Sequence, residues 1–142
     1  MHSPINLPSR TITFRPDLQV MVVRWHTQAD FAVVQADYAA MLAAAEASGF
    51  TNWLLDVRRR DRAAVERSAW VSQTFYPGAV AQLSPRRLRV AVLNSPALTA
   101  AFRTDPELQQ HVAYSTDPAR PYDIQLFADE GGAMSWLSPL LG

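Results

Sequence analysis

The chain has 142 residues, enough for one domain with a core that needs no disulfide or metal staple. Its 49% apolar and 18% charged content is ordinary for a globular protein, and a formal net charge of zero argues against bulk electrostatic binding of nucleic acid. Cysteine and lysine are both absent, which excludes disulfides, thiolate metal sites, a cysteine nucleophile, a lysine Schiff base and a P-loop lysine.

Residues 1–10 hold two prolines and no apolar core, so they do not read as a signal peptide. They are expected to be a flexible segment ahead of a single domain over 11–142. The longest apolar run, residues 38–45, is far short of the ~20 residues that cross a bilayer, so no membrane insertion is expected. With no cysteine to oxidise, the expected location is cytoplasmic.

Thr11-Ile12-Thr13-Phe14 alternates as an edge strand does, Arg15-Pro16-Asp17 signals a turn, and residues 18–25 form a valine-rich strand. These two strands predict a hairpin. Thr27-Gln28-Ala29-Asp30 has capping-box spacing, and behind it Val34, Tyr38, Met41, Leu42 and Ala45 recur on one helical face. Gly49 suits a left-handed cap, with Phe50 folding back on the last turn. Asn52-Trp53-Leu54-Leu55-Asp56 then reads as the central strand of the sheet. Its apolar run stops at an acid, and Arg58, Arg59, Arg60 and Arg62 follow in a loop ahead of a helix over 62–76. Pro77-Gly78 should break or kink that helix. A short helical piece, a strand over 88–93, and a helix capped by Ser95 with Pro96 at its first position come next. A second capping-box spacing, Thr104-Asp105-Pro106-Glu107, restarts that helix. A strand over 122–127 and a helix capped by Asp129 end the chain. The fold class is α/β, order ββαβαβαβα, with a mainly parallel sheet and an antiparallel edge strand.

This order, over roughly residues 11–138, resembles the SpoIIAA-like group of small bacterial proteins, which includes STAS domains and proteins labelled STAS/SEC14-domain. Leu55-Asp56 closing the third expected strand supports it. So do Trp70…Phe75-x-Pro77 leading into Arg87-Leu88-Arg89-Val90-Ala91-Val92, and Phe127-x-Asp129-x-x-x-Ala133-x-x-Trp136-Leu137. The resemblance implies a small regulatory or protein-binding module. The group's anti-sigma factor antagonists carry a phosphorylatable Ser or Thr in the loop after the third strand. The matching loop here, residues 57–62, contains no hydroxyl and Ser68 is the first afterwards, so that switch is not carried over. SEC14-type lipid binding would need a larger helical shell.

Two clusters are candidate sites. Arg58, Arg59, Arg60 and Arg62 with Asp56 form either an anion site, guanidinium forks beside a helix start, or a solvated charged loop. Asp56 reads as an acid or base with its pKa raised by burial, or as a carboxylate paired with an arginine or the loop backbone. Trp70, Phe75 and Tyr76 form either a partner surface or plain core. His26 and His111 lack partners at metal-ligand spacing, so no metal site is expected, and Asn94-Ser95-Pro96 lacks the glycines of a nucleophile elbow. No catalytic set converges and no cofactor is expected. The partners to expect are a regulatory protein, a second copy through the aromatic helix or the hairpin edge, or a small anionic ligand at the arginine loop.

Overall fold

The structure, a computed structural model, describes residues 3–27, 29–59, 70–117 and 119–138. Strands β1 (Ile5–Asn6), β2 (Arg10–Arg15) and β3 (Val20–Trp25) lead into helix α1 (Phe31–Ser48) and strand β4 (Asn52–Asp56). A π-helical segment (Val71–Phe75) then runs into α2 (Tyr76–Leu83), followed by β5 (Arg89–Leu93), α3 (Pro96–Thr104), α4 (Pro106–Thr116), β6 (Asp123–Phe127) and α5 (Glu130–Leu137). The fold is α/β. Its strands form one six-stranded mixed sheet in sequence order, with β3 to β6 parallel and β1 and β2 added antiparallel.

β4 lies in mid-sheet between β3 and β5. A parallel strand covered on both faces needs a continuous apolar run rather than an alternating one, and Trp53-Leu54-Leu55 supplies it. Trp53 and Leu55 point to the main core with Met21, Val23 and Val90, where α1 presents Val34, Tyr38, Met41 and Ala45 and α2 presents Ala79 and Leu83. Leu54 points the other way, with Val20, Val22, Ala91 and Leu93, onto Ala133 and Leu137 of α5.

This split follows from the strand order. Right-handed crossovers that always step in the same direction place their helices on the same face. α1, α2 and α3 accordingly share one side of the sheet, α3 entering through Leu98 against Val57 and Val92. Among the described residues only α5 packs on the opposite face, over β4, β5 and β6, and it leaves the hairpin end of that face uncovered.

Several local expectations are corrected. Residues 5–10, expected to be loose, form β1 and the start of β2, and Ser9 and Arg10 are buried. The reason is a polar clasp that the hydrophobic pattern does not show. Asp37, buried on the core side of α1, accepts from the Ser9 amide at 3.0 Å and from the Ser9 hydroxyl. The Arg10 guanidinium lies between the rings of Trp25 (4.5 Å) and Tyr38 (4.4 Å). The capping box at Thr27 does not form. α1 starts later, with Asp30 in extended backbone at the cap position and no side-chain cap bond.

Pro77 does not break its helix. It sits in the first turn of α2, where a missing N–H costs least, and the turn before it widens so that the Tyr76 amide bonds to the Val71 carbonyl. Asp105, rather than Thr104, caps α4, accepting from Glu107 N at 3.0 Å. Ser95 and Asp129 cap α3 and α5 through Leu98 N and Gly132 N.

Gly49 ends α1 with φ 78°, its amide bonded to the Ala45 carbonyl. An added Cβ would also stand 3.1 Å from Arg86 Nη1. Gly49→Ala should therefore cost about 1–2 kcal/mol, seen as a lower urea midpoint at unchanged slope. An unshifted midpoint contradicts this account of the cap.

Candidate functional site

A row of polar side chains crosses the uncovered part of the sheet. The antiparallel ladder sets Thr11 opposite Arg24, and the parallel ladder sets Arg24 opposite Asp56. Because β4 is buried on both faces, the Asp56 carboxylate is only 6% exposed and needs compensation. Arg58, two residues on, grips it with a fork: Nε to Oδ1 at 2.9 Å and Nη2 to Oδ2 at 2.8 Å. The Arg58 amide adds a bond to Oδ1 at 3.1 Å. Arg24 Nη1 donates to Asp56 Oδ2 at 2.9 Å and also to Glu130 Oε1 at 2.7 Å, in the first turn of α5. Two strands and a loop thus meet at one carboxylate, and Arg24 links it to the last helix.

Burial alone pushes the Asp56 carboxyl up. The Arg58 fork, the Arg58 amide and Arg24 together outweigh it and hold the group below the usual carboxylate range. Asp56 is therefore a structural anion, not an acid poised near neutrality, and the reading in which burial raises its pKa is corrected by the bonds it accepts. Arg24, bonded to Glu130 and Asp56, and Arg58, bonded to Asp56, are both held more firmly charged than usual.

Around this cluster opens a cleft of about 600 Å³, lined by Thr11, Arg24, Trp25, His26, Asp56, Arg58, Arg59 and Glu130. Three guanidiniums face two carboxylates, so the lining carries excess positive charge. Arg59 is exposed and makes no ion pair with any described residue. His26 is exposed at the end of β3. Arg60 and Arg62, named with this loop, lie outside the described residues. Among the described residues no three His, Asp or Glu side chains come together to hold a metal.

The structure thus brings Asp56, Arg58 and Arg59 to one cleft and adds Arg24, His26 and Glu130. Arg24 carried a signal in the sequence, a lone charge inside a valine run, but its pairing depends on strand register. Glu130 carried only its place after the cap residue Asp129.

The aromatic group lies elsewhere. Phe75 and Tyr76 are 7% and 4% exposed and belong to the main core, with Phe75 packed on Tyr38 at 4.7 Å and Tyr76 on Tyr122 at 5.2 Å. They offer no free face to a partner. Trp70 is half-buried and meets Phe31 edge-on at 5.7 Å, Phe31 itself being 37% exposed. His111 lies on α4.

Family models, curated proteins and solved structures yield no match to this chain. The fold and the cleft are what a functional reading has to work from.

Asp56→Asn keeps the shape but removes the charge that Arg24 and Arg58 neutralise. It should cost about 1–2 kcal/mol, less than a fully buried pair because both arginines are nearly half exposed. Because the folded-state pKa of Asp56 is lowered, its stabilising effect is complete above the unfolded-state carboxyl titration. It is lost as pH falls through the lower folded-state value. Asp123, held down by the Arg87 fork, acts in the same direction. Unfolding midpoints should therefore drop below the ordinary aspartate range, and the drop should be shallower in Asp56→Asn. Identical acid profiles would count against the assigned role.

Proposed function

We propose that the chain is a binding module of the SpoIIAA/STAS-like kind whose cleft takes a small anionic ligand, a phosphate or carboxylate group on a metabolite. The observation that carries the reading is Arg59, exposed in a concave, net-positive cleft and unpaired with any described carboxylate. Arg58 and Arg24 are oriented by Asp56 and Glu130 before any ligand arrives, so the charge left over in the lining is that of Arg59. A flat charged surface would have favoured docking of a protein partner. A concave site of this volume suits a small molecule. Binding rather than catalysis is supported by Asp56, whose oxygens already accept from two arginines and a backbone amide.

The ends of parallel strands commonly receive ligands where the strand order reverses. No reversal occurs in this sheet. The cleft arises instead where α5 stops short of the hairpin, so its chemistry is set by Arg24 and Glu130 as much as by the loop after β4.

Inorganic phosphate or a phosphorylated metabolite should raise the melting temperature relative to chloride at equal ionic strength. The control is needed because phosphate also stabilises folded proteins generally. At a hundred times Kd the gain is about 2.7 kcal/mol, a shift of several degrees. In the double variant Arg59→Ala, Arg60→Ala the rise over chloride should vanish while the protein stays folded. A wild type that melts alike in both salts across a panel of phosphate and carboxylate compounds overturns the reading.

A further inference from the structure

β6 is the outer strand of the sheet, and an unbroken register joins it to β5 from Arg89↔Asp123 to Leu93↔Phe127. The Asp123 amide donates to the Leu88 carbonyl at 3.0 Å, and the Phe127 carbonyl accepts from Asn94 N at 2.9 Å. In a parallel ladder the N–H and C=O of one residue point the same way, and those of the next point oppositely. Asp123, Gln125 and Phe127 therefore bond inward to β5. Ile124 and Leu126 turn both backbone groups to the open edge.

An edge of this kind is a template for another strand, and proteins blunt such edges with proline, basic residues, bulges or shortness. The opposite edge is blunted by length, since β1 has only two residues. β6, Asp-Ile-Gln-Leu-Phe, carries no proline, basic residue or bulge; α4 packs against it, but among the described residues no backbone group outside β5 bonds to Ile124 or Leu126. Its one charge is drawn off by Arg87, which forks Asp123 through Nε to Oδ2 at 2.7 Å and Nη2 to Oδ1 at 2.9 Å.

We propose that β6 pairs antiparallel with β6 of a second copy about a two-fold axis at Gln125, joining two sheets into one. The strand is self-complementary in that register. Gln125 opposes itself, and the outward N–H and C=O of Ile124 meet those of the partner's Leu126, and the converse. Every outward backbone group within the strand finds its mate. Ile124 and Leu126 project on the core side of the sheet, so each pair also makes an apolar cross-strand contact. A second copy is the occupant because a two-fold contact closes on itself, whereas adding β6 to the two-residue β1 would be head-to-tail and poorly paired. A contact through one short strand is smaller than a standard interface of about 1,200–2,000 Å², so the dimer is weak and concentration-dependent.

Sedimentation velocity from micromolar to millimolar concentration should show wild type passing from monomer to dimer. Leu126→Pro removes only an outward N–H and leaves the β5 ladder intact, so it should hold the protein monomeric. Where circular dichroism shows that variant unfolded, Gln125→Glu decides: it is exposed in the monomer, sets like charges directly opposite, and should weaken the dimer at least tenfold. The chain has no cysteine, so Gln125→Cys introduces a lone thiol. Directly opposed residues of that kind of pair lie about 4.5 Å apart, within disulfide reach, and mild oxidation should cross-link Gln125→Cys far faster than the exposed helix variant Gln110→Cys. A monomer at millimolar concentration, a dimer untouched by Gln125→Glu, or equal cross-linking of the two cysteine variants each overturns the proposal. β6 contributes nothing to the cleft, so either result leaves the anion reading where it stood.

Discussion

A carboxylate at the end of a strand that is covered on both faces is the constraint from which the charged part of this molecule follows. Asp56 cannot be left alone at that depth, and what neutralises it comes from several directions: the loop that continues β4, the neighbouring strand β3 and, through Arg24, the first turn of α5. Holding Asp56 ionised also holds the arginines still. Ordering side chains as long as arginine carries an entropy cost, and here the ion pairs to Asp56 and Glu130 are set against it.

The overall shape depends on the direction of winding. A sheet whose strands follow one another in sequence order lays its crossover helices on one side, and the other side is left to whatever follows the last strand. α5 is short and covers β4 to β6, so among the described residues it leaves the Thr11 and Arg24 end of the hairpin uncovered on that face. Polar residues at Thr11 and Arg24 on that face are consistent with an uncovered surface, while Val20 and Val22 further along are buried beneath residues of the last helix and its neighbours.

Much of this was legible in the sequence because the signals were local. Periodicity marked α1, Gly49 marked its end, Ser95 and Asp129 marked helix starts, and the apolar run over residues 53–55 marked a strand buried on both sides. The misses were of another kind. Pro77 reads as a breaker only if the turn before it is taken to be α-helical, and a π turn absorbs it. Ser9 and Arg10 look like a loose lead-in until Asp37, an acid sitting among apolar helix positions, is paired with them across twenty-eight residues. Arg24 and Glu130 belong to the site through register and chain reversal, neither of which a one-dimensional pattern carries. The arginine cluster after Asp56 drew attention by its density, yet Arg58 among it is mainly a clamp on Asp56.

The bond from Arg24 to Glu130 joins residues 106 positions apart in the chain. Closing so long a stretch of chain costs more conformational entropy than the local bonds from Arg58 to Asp56. A nascent or truncated polypeptide lacking the last helix would present Arg24 and Asp56 without the third member of their set. The complete set of ion pairs around Asp56 is thus a property of the docked last helix as much as of the strands beneath it.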